Sequence, residues 1–182
     1  LNCGNLKGDL IIPDTVTLIG LSAFGGCKGL TGTLTLGASL KEIGHAAFSD
    51  LNFKGDLTIP DSVETINGLA FSGCSKLDGQ FSLGKSLRYI GGSAFMSCSG
   101  LKGSIVIPGN VSAIPNNAFR DCGGLDGTLI IGEGVKKINQ YAFLNCGNLK
   151  GDLIIPDTVT LIGLSAFGGC KGLTGTLTLG AS

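Results

Sequence analysis

The chain has 182 residues, 43% hydrophobic and 14% charged, a balance that excludes a highly charged disordered chain and favours one domain with a long core. Thirteen basic residues offset thirteen acidic ones, so no global field draws the chain to nucleic acid or an anionic membrane, and weak colloidal repulsion favours self-association. Apolar runs are broken every few residues by Gly, Pro or charge, well short of the roughly 18 residues of a membrane-inserting helix.

Aligned on the dipeptide Ala-Phe, the chain places Phe24, Phe48, Phe71, Phe95, Phe119, Phe143 and Phe167 in one column, spaced 24, 23, 24, 24, 24 and 24 residues apart. A fixed period in the twenties is the signature of a solenoid, whose coils bury their apolar faces only by stacking on one another. Residues 1–182 therefore form a single repeat array, with coils starting near residues 3, 27, 51, 74, 98, 122 and 146 and a partial coil from 170. Residues 3–26 recur unchanged as 146–169, and residues 1–39 as 144–182. We expect the sequence to be a window of a longer array with a 143-residue super-repeat, five coils of 24 and one of 23.

Within each coil, a cysteine and a Leu-x-Gly lead into a segment of period-two alternation, the mark of a strand with one buried face. Its first inward column is Leu10, Leu34, Leu57, Phe81, Ile105, Leu129, Leu153 and Leu177, and its second is Ile12, Leu36, Ile59, Leu83, Ile107, Ile131, Ile155 and Leu179. These predict a continuous sheet of in-register parallel strands, about 35 Å across at the usual strand spacing. The next residue alternates between strand breakers: Pro13, Gly37, Pro60, Gly84, Pro108, Gly132, Pro156 and Gly180. A second extended piece buries Val16 and Ile19 and their equivalents, followed mostly by Gly or Asn (Gly20, Asn67, Asn139), which suit a left-handed backbone; Pro115 in this column does not. The Ala-Phe pair is expected to close the coil in a single helical turn. Its rings would stack at the coil spacing, adding roughly 0.5 to 1.5 kcal/mol per pair beyond area burial.

The pattern Leu-x-Gly-x-Leu-x-Ile-Pro-x-x-Val-x-x-Ile-Gly-x-x-Ala-Phe-x-x-Cys of residues 6–27 resembles the BspA-like (Treponema-type) leucine-rich repeat family, and the likeness runs through the whole chain. The resemblance implies an α/β leucine-rich-repeat solenoid, β-rich, with right-handed coils, a parallel sheet on the concave face and single helical turns around Ala-Phe. It also implies an extracellular or cell-surface protein that adheres to host or neighbouring-cell proteins.

Nothing in the repeat suggests chemistry. Cys3, Cys27, Cys74, Cys98, Cys122, Cys146 and Cys170 share one column without the spacing or histidines of a metal site. Neighbouring pairs could reach disulfide distance, but stacked side chains point the same way and the count is odd, so we read free buried thiols acting as small hydrophobes. His45, the single histidine, has no nucleophile placed to use it and reads as a surface residue. The Gly8, Gly32, Gly55, Gly79, Gly103, Gly127, Gly151 and Gly175 column recurs at the coil period, which suits close backbone approach rather than a phosphate loop. Asn110-Val111-Ser112 fits an N-glycosylation acceptor of a eukaryotic secreted chain. We expect no enzymatic activity, no cofactor and no metal.

The residue before that glycine alternates up the stack: Lys7, Thr31, Lys54, Asp78, Lys102, Asp126, Lys150, Thr174. Opposite charges facing each other across strands contribute roughly 0.2 to 1 kcal/mol, so Lys54, Asp78, Lys102, Asp126 and Lys150 read as a stacking charge ladder whose unit is two coils. The outward strand residues are Thr, Ser, Ile, Val and Asp, without the Trp, Tyr and Arg that dominate binding hot spots; Arg88, Tyr89, Arg120 and Tyr141 form no evident cluster. The sequence thus predicts a noncatalytic structural repeat protein that stacks end to end with copies of itself into an extracellular filament or surface fibre, since open strand edges invite continuation. The alternative is a cell-surface adhesin that binds host matrix or neighbouring-cell proteins through the repeat sheet.

Overall fold

A computed structural model describes residues 3 and 5–179; Gly180, which ends the Pro/Gly alternation, lies outside the described residues. Each coil contributes two short strands. The first kind comprises β1 (Leu10–Ile11), β3 (Leu34–Thr35), β5 (Leu57–Thr58), β7 (Phe81–Ser82), β9 (Ile105–Ile107), β11 (Leu129–Ile131), β13 (Leu153–Ile155) and β15 (Leu177–Leu179). The second kind comprises β2 (Leu18–Ile19), β4 (Glu42–Ile43), β6 (Thr65–Ile66), β8 (Tyr89–Ile90), β10 (Ala113–Ile114), β12 (Lys137–Ile138) and β14 (Leu161–Ile162). Every strand pair is parallel and joins neighbouring coils, so the chain winds into an all-parallel β-solenoid of about seven coils.

The expected α/β class and the helical turn at each Ala-Phe do not hold: among the described residues there is no helix of any kind. The backbone shows why. Two residues before each phenylalanine, Ser22, Ala46, Leu69, Ser93, Asn117, Tyr141 and Ser165 have φ between 47° and 60°. Two residues after it, Gly26, Asp50, Gly73, Ser97, Asp121, Asn145 and Gly169 are also left-handed. A helix needs successive right-handed residues and spends its N–H groups internally. Here alternate N–H groups are spent on the next coil instead, as in Ser22 to the His45 carbonyl (2.8 Å) and Phe24 to that of Ala47 (3.0 Å). The left-handed site also sits two residues beyond the Gly and Asn column expected to hold it; Gly20, Asn67 and Asn139 are not among the positive-φ residues.

The first-kind strands do not form one continuous sheet. They pair in register as β1–β3, β5–β7, β9–β11 and β13–β15, with seams between the pairs. The glycine column explains the seams. Gly8, Gly55, Gly103 and Gly151, each after a lysine, have φ of 78° to 89° and divert the chain before the strand. Gly32, Gly79, Gly127 and Gly175 are not left-handed but lie against the glycine backbone of the preceding coil, where a Cβ would collide with it. One column of glycines therefore answers two different needs in alternate coils. The Pro/Gly alternation has the same origin, since a Cβ on Gly37 or Gly84 would strike the backbone of Pro13 or Pro60 one coil below.

The core lies between the two sets of strands. Phe48, Phe71, Phe95, Phe119 and Phe143 are fully buried, and consecutive rings from Phe24 to Phe167 stack with centroids 5.2 to 5.5 Å apart. In the 23-residue coil the cysteine position is lost, and buried Leu51 and Phe53 fill the space, Phe53 meeting Phe48 edge-on at 6.2 Å.

Candidate protein-binding face

The first-kind strands turn one side chain of each pair outward. On three successive coils of the C-terminal half this column is apolar, Val106, Ile130 and Ile154 being 47%, 52% and 57% exposed, before an exposed Thr178. In the N-terminal half it reads Thr35, Thr58 and Ser82, all exposed, after an exposed Ile11. β-branched side chains favour the strand, and their outward placement follows from the period-two alternation that buries Ile105 and Ile107 on either side of Val106.

The polar groups bordering this column are already engaged. Asp9, Asp56 and Asp152 accept the backbone N–H of Thr33, Gln80 and Thr176 one coil on, at 2.7, 2.7 and 2.6 Å, and Ser104 accepts that of Thr128 at 3.0 Å. The Thr33 N–H, with help from its hydroxyl, holds the Asp9 carboxyl below its ordinary range. A shallow depression of about 460 Å³ lies at the first seam, bordered by Thr33, Thr35, Asp56 and Thr58.

In the column expected to form a charge ladder, the aspartates bond to backbone. Asp78 accepts the N–H of left-handed Gly55 at 2.8 Å and Asp126 that of Gly103 at 2.9 Å. The Gly103 N–H is the main cause of the lowered Asp126 pKa, with Lys150 and Lys102 as smaller contributors. Among the described residues the ion pairs are Lys41–Glu64 (3.6 Å), Lys85–Asp61 (3.6 Å) and Arg120–Asp121 (3.2 Å), none within that column. Lys54, Lys102 and Lys150 are exposed.

The structure also joins two residues that the sequence left apart. The Arg120 guanidinium lies over the Tyr141 ring of the next coil, 6.0 Å from its centroid, while its Nε bonds Asp121. Writing the coils as columns would have shown them as near neighbours, three places apart across adjacent coils. Asn110 is exposed in its turn, and its Nδ2 donates to the Lys85 carbonyl at 3.1 Å. His45 is exposed.

The cysteines are free, and five of them form a ladder of their own. The Sγ–H of Cys74, Cys98, Cys122, Cys146 and Cys170 donates to the carbonyl of Phe48, Phe71, Phe95, Phe119 and Phe143 at 3.0 to 3.1 Å. Burial pushes the Cys74 and Cys122 thiols up to about 12 and raises those of Cys98 and Cys146 as well. Among the described residues no group of three or more His, Cys, Asp or Glu could hold a metal ion, and no helix is long and apolar enough to cross a membrane.

A stacked, all-parallel array with a self-satisfied polar border around an exposed strand face defines a repeat scaffold. The chain belongs to the BspA-type leucine-rich repeat family, whose region model matches residues 1–126 and 55–174. In that family the fold is a noncatalytic scaffold. Among solved structures, the T. pallidum leucine-rich repeat protein is similar at 28% identity with a TM-score of 0.75, over 92% of this chain and 78% of that one. A leucine-rich cell surface protein of Faecalibacterium prausnitzii shares the fold at 23% identity and a TM-score of 0.54, over 96% of this chain and 60% of its own. The pneumococcal vaccine antigen PcpA does so at 24% and 0.53, over 95% and 51%. A search of curated proteins returns no match.

Proposed function

We propose that this chain is an extracellular or surface-displayed scaffold that holds host matrix or neighbouring-cell proteins against its first-kind strands. One observation carries the reading: the exposed Val106, Ile130 and Ile154 column is bordered by carboxylates and hydroxyls already bonded across coils. Such a face loses little on dehydration, because its polar groups keep their partners when water leaves. Family membership and the surface location in the name of the Faecalibacterium protein support display outside the cell. The test is binding of immobilised matrix proteins by the wild type and by Ile130→Lys. A loss of binding with unchanged melting temperature supports the face; undiminished binding removes it. In a chain passing a eukaryotic secretory route, exposed Asn110 would be the glycan acceptor, seen as a mass shift absent from Asn110→Gln.

A second reading, end-to-end stacking of copies into a fibre, is favoured by the two-coil period of the glycine column. Gly8, Gly55, Gly103 and Gly151 are left-handed while Gly32, Gly79, Gly127 and Gly175 lie against the coil below, a pattern that copies joined in phase would continue. The Lys54, Asp78, Lys102, Asp126 and Lys150 column would keep its alternation through such a junction. Electron micrographs of pure protein showing rods that lengthen with concentration would support stacking, and uniform short particles would count against it.

A further inference from the structure

The seams between coil pairs interrupt the first set of strands, but the second set runs past two of them. β4 pairs with β6 across the first seam, and β12 with β14 across the last. At the middle seam, between coils 74–97 and 98–121, both sets lapse. β7 and β9 lie in separate sheets, as do β8 and β10, and the isolated bridge Gln80–Lys102 is the remaining strand-like link among the described residues.

One residue accounts for the second break. At the other junctions the N–H following the inward isoleucine reaches the isoleucine carbonyl one coil back: Gly44 to Ile19, Asn67 to Ile43, Gly91 to Ile66, Asn139 to Ile114 and Gly163 to Ile138, all at 2.7 to 2.9 Å. Pro115 occupies this place in the fifth coil and has no N–H to give Ile90. A neighbouring bond lapses with it. Lys41, Glu64, Arg88, Lys136 and Thr160 each donate to the carbonyl one coil back, yet among the described residues none joins Ser112 to Arg88. The same coil holds Asn117 Oδ1, the one buried side-chain oxygen without a hydrogen-bond partner among the described residues.

An aromatic side chain spans this junction. Phe81, where the other coils have Leu or Ile, meets Phe95 edge-on at 5.2 Å and Phe119 across the seam at 6.0 Å. We propose that the junction between coils 74–97 and 98–121 is a flexion point built into the array, released by Pro115 and braced by Phe81 so that the core stays closed while the halves tilt. Val106, Ile130 and Ile154 all lie on its C-terminal side, so tilting would change their angle to the Thr58 and Ser82 half of the face. That use rests on the scaffold reading, whereas the flexion is a property of the free chain.

Amide hydrogen exchange on the free protein tests it without any ligand. The N–H groups of Ser93, Phe95 and Ser97 cross this junction to Asn116, Ala118 and Arg120, and those of Asn117, Phe119 and Asp121 cross the next one. The first set should exchange faster than the second, as expected of a locally weaker junction. Pro115→Asn, which installs the residue found at 67 and 139, should slow the first set by roughly two- to tenfold, the worth of one recovered hydrogen bond, and leave the second set unchanged. Phe81→Leu should speed the first set; if that variant does not fold, the Pro115→Asn comparison decides. Equal exchange at the two junctions in the wild type, or no localised slowing in Pro115→Asn, overturns the proposal.

Discussion

A phenylalanine in this chain does two jobs at once, because its ring meets its equivalents above and below while its carbonyl accepts the thiol three residues beyond the next coil's phenylalanine. Phe95 stacks on Phe71 and Phe119, touches Phe81 edge-on, and accepts the Cys122 Sγ–H. Phe95→Ala should therefore destabilise by about 3 to 5 kcal/mol, read as a shift in the denaturant midpoint. An unshifted midpoint would place the column outside the core. The buried thiols set a second expectation. A thiol whose folded pKa is raised favours the neutral form, so its contribution is intact below its ordinary range and lost as pH rises through it. Melting temperature should thus hold up to about pH 9 and fall as pH climbs toward 12, more steeply in the wild type than in Cys122→Ala. Equal slopes would mean that other groups govern the alkaline limb.

At the scale of the strand and turn, much was legible because apolar periodicity reports burial directly. The inward and ring columns could be read from residue spacing, whereas spacing alone left the cysteines within reach of one another and only side-chain direction and an odd count pointed to free thiols. Strand pairing could not, since Leu10 and Ile12 show the same alternation as Leu34 and Leu36, although the chain approaches the two strands differently. The Lys and Asp alternation pointed to a two-coil unit, but its visible charges drew attention from the glycine N–H that the aspartates bind. The turn was misread for a related reason: Leu69 and Tyr141 carry no sequence signal for a left-handed backbone, which the next coil's carbonyls impose. Two glycines from one column should therefore respond differently. Gly55→Ala strains only a left-handed residue whose Cβ would meet Thr33 Cγ2 in ordinary contact at 3.6 Å, at a cost of about 1 to 2 kcal/mol. Gly79→Ala drives a methyl into the backbone of Gly55 and should cost more, measured by the same denaturation curves. Similar losses would refute the two-fold division of the column.

For the molecule as a whole, the pair of coils and not the single coil is the quantum of length. Deleting residues 98–145, one pair, brings unlike coils together again and should leave a cooperative unfolding transition. Deleting 98–121 sets two coils of the Asp-Gly kind against each other, Gly127 meeting Gly79 in place of the left-handed Gly103 that it lies against. That chain should melt lower than the one lacking a full pair, despite being longer. The binding face was legible only in part, because exposed Ile and Val look alike in sequence whether or not their polar neighbours are satisfied.

The direction of hydrogen bonding around each coil carries one last implication. Along the phenylalanine margin, N–H groups point forward, as from Ser22 to His45; along the second-strand margin they point backward, as from Gly44 to Ile19. Each layer is thus keyed, offering protons on one rim and lone pairs on the opposite rim. A layer wound one step out of phase would forfeit both rims together, so the native phase is set apart from its neighbours by two sets of bonds at once.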